Sequence, residues 1–387
     1  MKTNNLIKQV LIRRLVLSGG GIWGFSCYGA LRESAKANFW NIDNIVSIHA
    51  TSVGSMLAVM MALKYEWDVL DDFLIKRPWH QIFKFDLYSI ISSVEKRGIF
   101  DKKCINDMFE PLFSGKDISL NVTMKDFYDK TGIELHFFSV QMNNNFCKVD
   151  FSHKSHPEWQ LLDVVYCSCC LPILFSPFLH TLPPAFLQVK LDKNENDNPM
   201  HTTDEVFQTK QSTSNGLEQN TPQEDTKAKS PLENGVEAGD CYIDGGVLNN
   251  YPLIQCVEQC LDESDKKEDE IDETDETEEN DDNNEKNNQL EKTREIFGIK
   301  KTNTNKQKTV NTSSTLFDYI LLFLGKIISI INTNNSKIQI VNQLNIPAES
   351  TNIYDVYLAT SSQEERKRLV EYGSHCWKIK ETDLIIT

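Results

Sequence analysis

The chain has 387 residues, 40% of them hydrophobic, and a formal net charge of −16; that length and apolar content suffice to bury one large core. The charge is local, because residues 262–286 hold 15 acidic and three basic side chains and leave about −4 for everything else. This excludes a tight nucleic-acid binder, which needs Lys and Arg at the phosphates.

The first residues (MKTNNLIKQVLIRRLVLSGGG) carry basic side chains and short apolar runs, with no signal-peptide core. The expectation is a cytoplasmic protein without a transmembrane helix, meeting membranes only at their periphery. Residues 14–17 form a short apolar run that ends at Ser18-Gly19-Gly20-Gly21, which predicts a buried strand and a sharp turn. Residues 25–37 have helical spacing through Phe25, Tyr28, Leu31 and Ala35. A second short strand is predicted at 45–48 and an apolar helix at 53–64. Strand, helix, strand and helix in this order make a βαβ unit with parallel strands. Residues 134–140 and 145–151 read as further strands.

Cys167, Cys169 and Cys170 fall within four residues but fit no common zinc spacing, so they read as buried, reduced thiols, and no metal is expected. Residues 190–237 are polar and predicted to be a disordered insertion. A short ordered stretch follows at 238–261. Residues 262–314 read as a second disordered insertion, first acidic and then rich in Lys, Asn and Thr. Both insertions are expected to interrupt a single domain spanning 11–375, because loop-closure entropy grows only with the logarithm of length. The apolar run 316–331, broken by Asp318, Gly325 and Lys326, is too short to span a bilayer. A buried core helix is the expectation for it, and a membrane-surface or lid helix the alternative.

Three loops carry chemistry. Gly19-Gly20-Gly21-Ile22-Trp23-Gly24 follows the first strand and opens the first helix. It satisfies the dinucleotide-binding pattern, but the acidic residue that should close the second strand is replaced by His49-Ala50-Thr51-Ser52. The other use of such a turn is an oxyanion hole, where successive N–H groups point at one spot beside a helix N-terminus. Ala50-Thr51-Ser52-Val53-Gly54 sits where the second strand meets the second helix, the setting of a nucleophile elbow; an ordinary helix N-cap is the alternative for Ser52. No histidine stands in a recognisable catalytic context. Asp244, in Ile243-Asp244-Gly245-Gly246, is the better candidate for a base, with an Asp-Gly turn as the plain alternative.

Taken in this order, the glycine turn, the serine elbow and the late Asp-Gly-Gly resemble the patatin-like phospholipases. That resemblance covers roughly residues 11–184 and 238–256, and extends to Met124–Ile133 and to the small-residue stretch Val165–Pro172. It implies a three-layer α/β/α sandwich with a mostly parallel central sheet. It also implies a Ser52–Asp244 dyad without histidine, and an oxyanion hole built from the N–H groups of Gly20 and Gly21, assisted by Val53. Gly19, Gly24, Ala50, Gly54, Gly245 and Gly246 shape these loops. Two positions depart from the family pattern: Trp23 stands where Arg or Lys is usual, and Ala50 replaces the first elbow glycine.

The implied activity is hydrolysis of phospholipid or other acyl-lipid esters at a transiently visited membrane or micelle surface. It proceeds through an acyl-enzyme on Ser52 and needs no cofactor. The alternative is a catalytically weakened protein of the same fold that binds partners through its acidic tract. A dinucleotide-dependent oxidoreductase is the more distant rival.

Overall fold

The computed structural model describes residues 11–180, 239–269, 293–304, 309–334, 338 and 340–386, apart from Asp86 and Asn144. The first insertion expected from the sequence, 190–237, lies outside these residues, as does the acidic run beyond Asp269. The chain divides into a large unit, Met1–Phe178 with Cys241–Thr387, and a small one, Leu179–Asp240. The large unit carries the central sheet.

Its central sheet is built from β1 (Arg14–Leu17), β2 (Ser47–Thr51), β3 (Glu134–Gln141), β4 (Cys147–Phe151), β5 (Asp240–Asp244), β6 (Ile296–Asn303) and β7 (Gln343–Ala348). These strands run in the order β7-β6-β1-β2-β3-β5, and β4 also pairs with β3. The five strands from β7 to β3 are mutually parallel, whereas β4 and β5 run antiparallel to β3. The sheet is therefore mixed, with the expected parallel βαβ unit at its centre.

Alternation along β1 sorts the two faces. Leu15 and Leu17 point into the larger core, which they share with α1 (Gly24–Lys36), α2 (Val53–Ala62), α3 (Leu161–Cys169) and the C-terminal helices. Val16 points the other way and packs with Ile296 and with Leu253, Cys256, Val257 and Cys260 of α4 (Leu253–Asp269). Helices on both faces explain why β1 reads as a continuous apolar run, since a strand buried on both sides has no polar face to show. Three helices of the C-terminal part bear on the site: α5 (Leu316–Asn334), α6 (Ile353–Ser361) and α7 (Gln363–Ile386).

Two expectations need correction. The segment 262–314 is not disordered throughout: α4 runs on to Asp269, and β6 lies inside the sheet between β7 and β1, with Ile296, Phe297 and Ile299 buried. Four apolar or small residues, Ile-Phe-Gly-Ile, are enough for a strand buried on both faces, and the Lys/Asn/Thr-rich flanks masked them. The second correction concerns α5, which is not a core helix. Only 6% of the window Leu316–Thr333 is buried, and the window is long and apolar enough to cross a membrane by length and composition alone. Leu316, Phe323 and Ile330 are 70%, 52% and 67% exposed.

Candidate active site

Parallel register brings two loops to one sheet edge. Leu17 of β1 is level with Ala50 of β2, so the glycine turn after β1 and the serine turn after β2 emerge side by side. The antiparallel strand β5 reaches the same level from the opposite direction, with Asp244 opposite Ser139, one residue beyond the Phe138 that pairs with Thr51. Topology alone thus delivers all three predicted segments to one place.

Ser52 adopts φ 55° and ψ −129°, a positive-φ conformation costing a non-glycine residue on the order of 1–3 kcal/mol. Its neighbours hold it there. The Ser52 N–H donates to Ser168 Oγ at 2.9 Å, and that hydroxyl donates in turn to the Phe138 carbonyl at 2.7 Å. Ser55 Oγ donates to the Ser52 carbonyl at 2.6 Å. The turn is so tight that a Cβ on Gly54 would lie 2.6 Å from the Leu17 carbonyl oxygen, so this position has no room for a side chain. Ala50 faces no such limit; its methyl is fully buried in the larger core.

Although Ser52 occupies the N-cap position of α2, its side chain caps nothing. Instead, Ser52 Oγ donates to Asp244 Oδ2 at 2.7 Å, while the Gly246 N–H donates to Asp244 Oδ1 at 2.6 Å. Asp244 is 4% exposed. Burial pushes its pKa up to about 6 against the opposing pull of the Ser52 and Gly246 hydrogen bonds. A buried carboxylate poised in this range is chemically suited to take up and release a proton near neutrality.

Among the described residues no histidine is hydrogen-bonded to Ser52 or Asp244. His49 is in register with Val16 and so lies on the α4 face of the sheet, stacked on His136 with ring centroids 4.3 Å apart. Cys167, Cys169 and Cys170 are buried free thiols, held protonated by burial.

The glycine turn is bolted to the segment after Asp244. The Gly19 N–H donates to the Asn250 carbonyl at 2.9 Å, and Asn250 Nδ2 donates to the Gly19 carbonyl at 3.2 Å. Thr51 Oγ1 donates to the Asn249 carbonyl at 2.9 Å, which ties in the elbow as well. Gly21 takes φ +56° and opens a short helical turn, Gly21–Trp23. The N–H groups of Gly20, Gly21 and Val53 find no acceptor among the described residues, and these residues line the same cavity as Ser52 and Asp244. Trp23 turns away from it, donating through Nε1 to the Glu349 carbonyl at 3.2 Å and packing edge-on against Tyr372 of α7.

The cavity measures about 1100 Å³. Met56, Phe83, Phe100 and Phe175 make much of its wall apolar, and Leu321 and Leu322 of α5 line it too. A polar pin anchors α5 to the site: Asn332 Nδ2 donates to the Gly246 carbonyl at 3.0 Å, and its Oδ1 accepts the Asn250 N–H at 2.7 Å. Ser168 falls in the small-residue stretch and Asn250 follows the Asp-Gly-Gly segment, but their partners, and Asn332 altogether, carry no local signal, since each acts through a partner more than 80 residues away.

A mixed sheet whose first two strands feed a glycine turn and a serine elbow, answered by an aspartate from an antiparallel strand, defines the patatin fold, an α/β class. The patatin-like phospholipase family model matches residues 15–257, more than half of the chain, and the chain belongs to that family. It is similar to uncharacterized protein R571 of Acanthamoeba polyphaga mimivirus, with 28% identity over 178 residues, 46% of this chain and 58% of the relative. It is also similar to probable lipid hydrolase 463L of invertebrate iridescent virus 6, with 26% identity over 174 residues, 44% of this chain and 57% of the relative. The match therefore spans little more than half the length of these relatives. Among solved structures, VipD from Legionella pneumophila aligns with 95% of this chain and 66% of its own, at 14% identity and a TM-score of 0.40.

Proposed function

We propose that the protein is a lipid acyl hydrolase that works through an acyl-enzyme on Ser52. The observation that carries this reading is the 2.7 Å hydrogen bond from Ser52 Oγ to a buried Asp244 in the wall of a largely apolar cavity. Asp244 takes the Ser52 proton as Oγ attacks the ester carbonyl, and the carbonyl π electrons move onto oxygen. The N–H groups of Gly20, Gly21 and Val53 receive that oxyanion; each such donor is worth about 3–4 kcal/mol. Collapse expels the leaving alkoxide, which takes the proton from Asp244. Water then attacks the acyl-enzyme, giving its proton to Asp244 and then to Ser52 as the fatty acid leaves. The strained Ser52 backbone keeps Oγ exposed throughout.

The apolar cavity wall suits an acyl chain, and the outer face of α5 suits a lipid surface. Leu316, Tyr319, Phe323, Ile327 and Ile330 recur every three or four residues and all are exposed, which makes one continuous apolar stripe. The same helix lines the cavity with Leu321 and Leu322, so a bilayer touching the stripe meets the site directly.

The test is hydrolysis of micellar phospholipid and of a short p-nitrophenyl ester by the wild type, Ser52→Ala and Asp244→Asn. Both variants should lose at least about a thousandfold in kcat, and by similar amounts, because the two groups act as a unit. Wild-type turnover that survives in Ser52→Ala would sink the reading.

A further inference from the structure

The charged side chains lining the cavity are Asp244, Lys300, Lys301 and Lys326. The single carboxylate is engaged by Ser52 and by the Gly246 N–H, so the wall carries an excess of positive charge. Lys301 stands apart from the other two lysines. Lys326 is on the exposed side of α5, and Lys300 sits over the Tyr251 ring, 5.4 Å from its centroid. The Lys301 main chain is fixed beside the glycine turn, because its N–H donates to Ser18 Oγ at 2.8 Å and the Ser18 N–H donates to the Ile299 carbonyl at 3.1 Å. Its side chain lies along Gly20: a Cβ built there would stand 3.1 Å from Lys301 Cδ and 3.8 Å from Lys301 Cβ. The lysine stem therefore flanks the residue whose N–H faces the developing oxyanion.

Among the described residues no carboxylate pairs with the Lys301 ammonium. Burial alone pulls its pKa down to about 8, with no anion to oppose the shift. A half-buried ammonium with no carboxylate beside it is better satisfied when an anionic ligand completes it. A phosphate does so well, since a lysine binds phosphate as a point charge and the hydrogen bond is charge-assisted.

We propose that Lys301 is the head-group residue of the substrate site, holding the phosphate of a glycerophospholipid while the ester carbonyl sits at Ser52. The inference rests on the acyl-hydrolase reading above and narrows its substrate class from acyl esters in general to phosphate-bearing lipids. A neutral glyceride offers the ammonium no anion, so discrimination arises from an unmet cation as much as from a new contact. Trp23, turned outward onto α7, contributes no charge to the cavity, and β6 supplies it instead.

The experiment uses the full chain carrying Ser52→Ala, so that binding is read without turnover. Dihexanoyl phosphatidylcholine, dihexanoylglycerol and inorganic phosphate are titrated by calorimetry against this protein and against versions that also carry Lys301→Met or Lys301→Arg. The expected result is a rise of about tenfold in the phosphatidylcholine Kd with Met, recovery to within about threefold with Arg, and a much smaller change for dihexanoylglycerol. Equal changes for both lipids, no change for either, or tight phosphate binding without a lipid preference overturn the proposal. So does failure of phosphatidylcholine to bind the Lys301 protein. Hydrolysis of p-nitrophenyl ester by protein with Ser52 intact, measured alongside, reports on the acyl-hydrolase reading separately. Either one can therefore fail without the other.

Discussion

Asp244 sets the pH behaviour of the proposed chemistry. Its folded-state pKa is raised from an ordinary 3.8 to about 6, and only the ionised form can accept the Ser52 proton. The expected kcat/KM profile therefore rises with pH through a single ionisation near 6 and is flat above it. A rise centred near 4 would mean that burial does not govern the group. The same shift has a cost in stability. Folding favours the protonated carboxyl, so ionisation destabilises the native state progressively as pH climbs from about 4 to about 6, by up to about 3 kcal/mol. Asp244→Asn, which keeps the acceptor oxygen, should accordingly raise Tm at pH 7 and lose that advantage below pH 4, in a thermal denaturation series.

What was legible at this scale is what chemistry restricts by type. A tight turn needs glycine, an elbow needs a small residue on each side of its serine, and a base needs a carboxylate or imidazole. Those constraints mark Gly19 to Gly24, Ala50 to Gly54 and Asp244 to Gly246 in the bare sequence. Ser168 lies in the small-residue stretch that carries part of the resemblance, but its bond to Ser52, like the roles of Asn250, Asn332 and Lys301, satisfies no local rule. Any hydroxyl, amide or amine in the chain could have filled their places, and only the folded register selects these.

At the scale of elements, β6 and α5 show how composition misleads. A window dominated by Asp, Glu, Lys and Asn hid four residues that β1 needs as a neighbour, because a strand flanked on both sides requires few apolar positions. In α5 composition misleads the other way, because an apolar helix need not be a buried one, and its exposure favours the surface or lid helix that is the alternative for this run. Its stripe faces outward, and that exposure is what a lipid-surface role requires. Replacing Leu316 and Phe323, which lie outside the cavity wall, together with Ser should lower the rate on phospholipid vesicles by at least about a hundredfold, each buried apolar side chain being worth about 1.5–3 kcal/mol. The rate on a dissolved p-nitrophenyl ester should hold, because both side chains are exposed and the Asn332 pin is untouched. A parallel fall on both substrates would make α5 a structural lid instead of a lipid contact.

For the whole molecule, charge is distributed in opposition. The cavity wall is locally positive, whereas the chain carries −16, three quarters of it in residues 262–286. Long-range repulsion should therefore discourage approach to an anionic membrane even though the site itself favours a phosphate. Vesicles of zwitterionic lipid should be hydrolysed faster than those containing anionic lipid at low salt, and the gap should close as salt rises, since the screening length falls from about 30 Å at 0.01 M to about 3 Å at 1 M. Deleting residues 270–286 removes ten acidic side chains and one basic one. The variant should gain rate on anionic vesicles severalfold at low salt and match the full chain at high salt, with its Ser52-dependent hydrolysis of a soluble ester intact. A deletion that abolishes ester hydrolysis would tie the tract to the active site. One that changes no vesicle rate at any salt would leave the tract without electrostatic reach, and the rival reading, recruitment of basic partners, would then have to explain it.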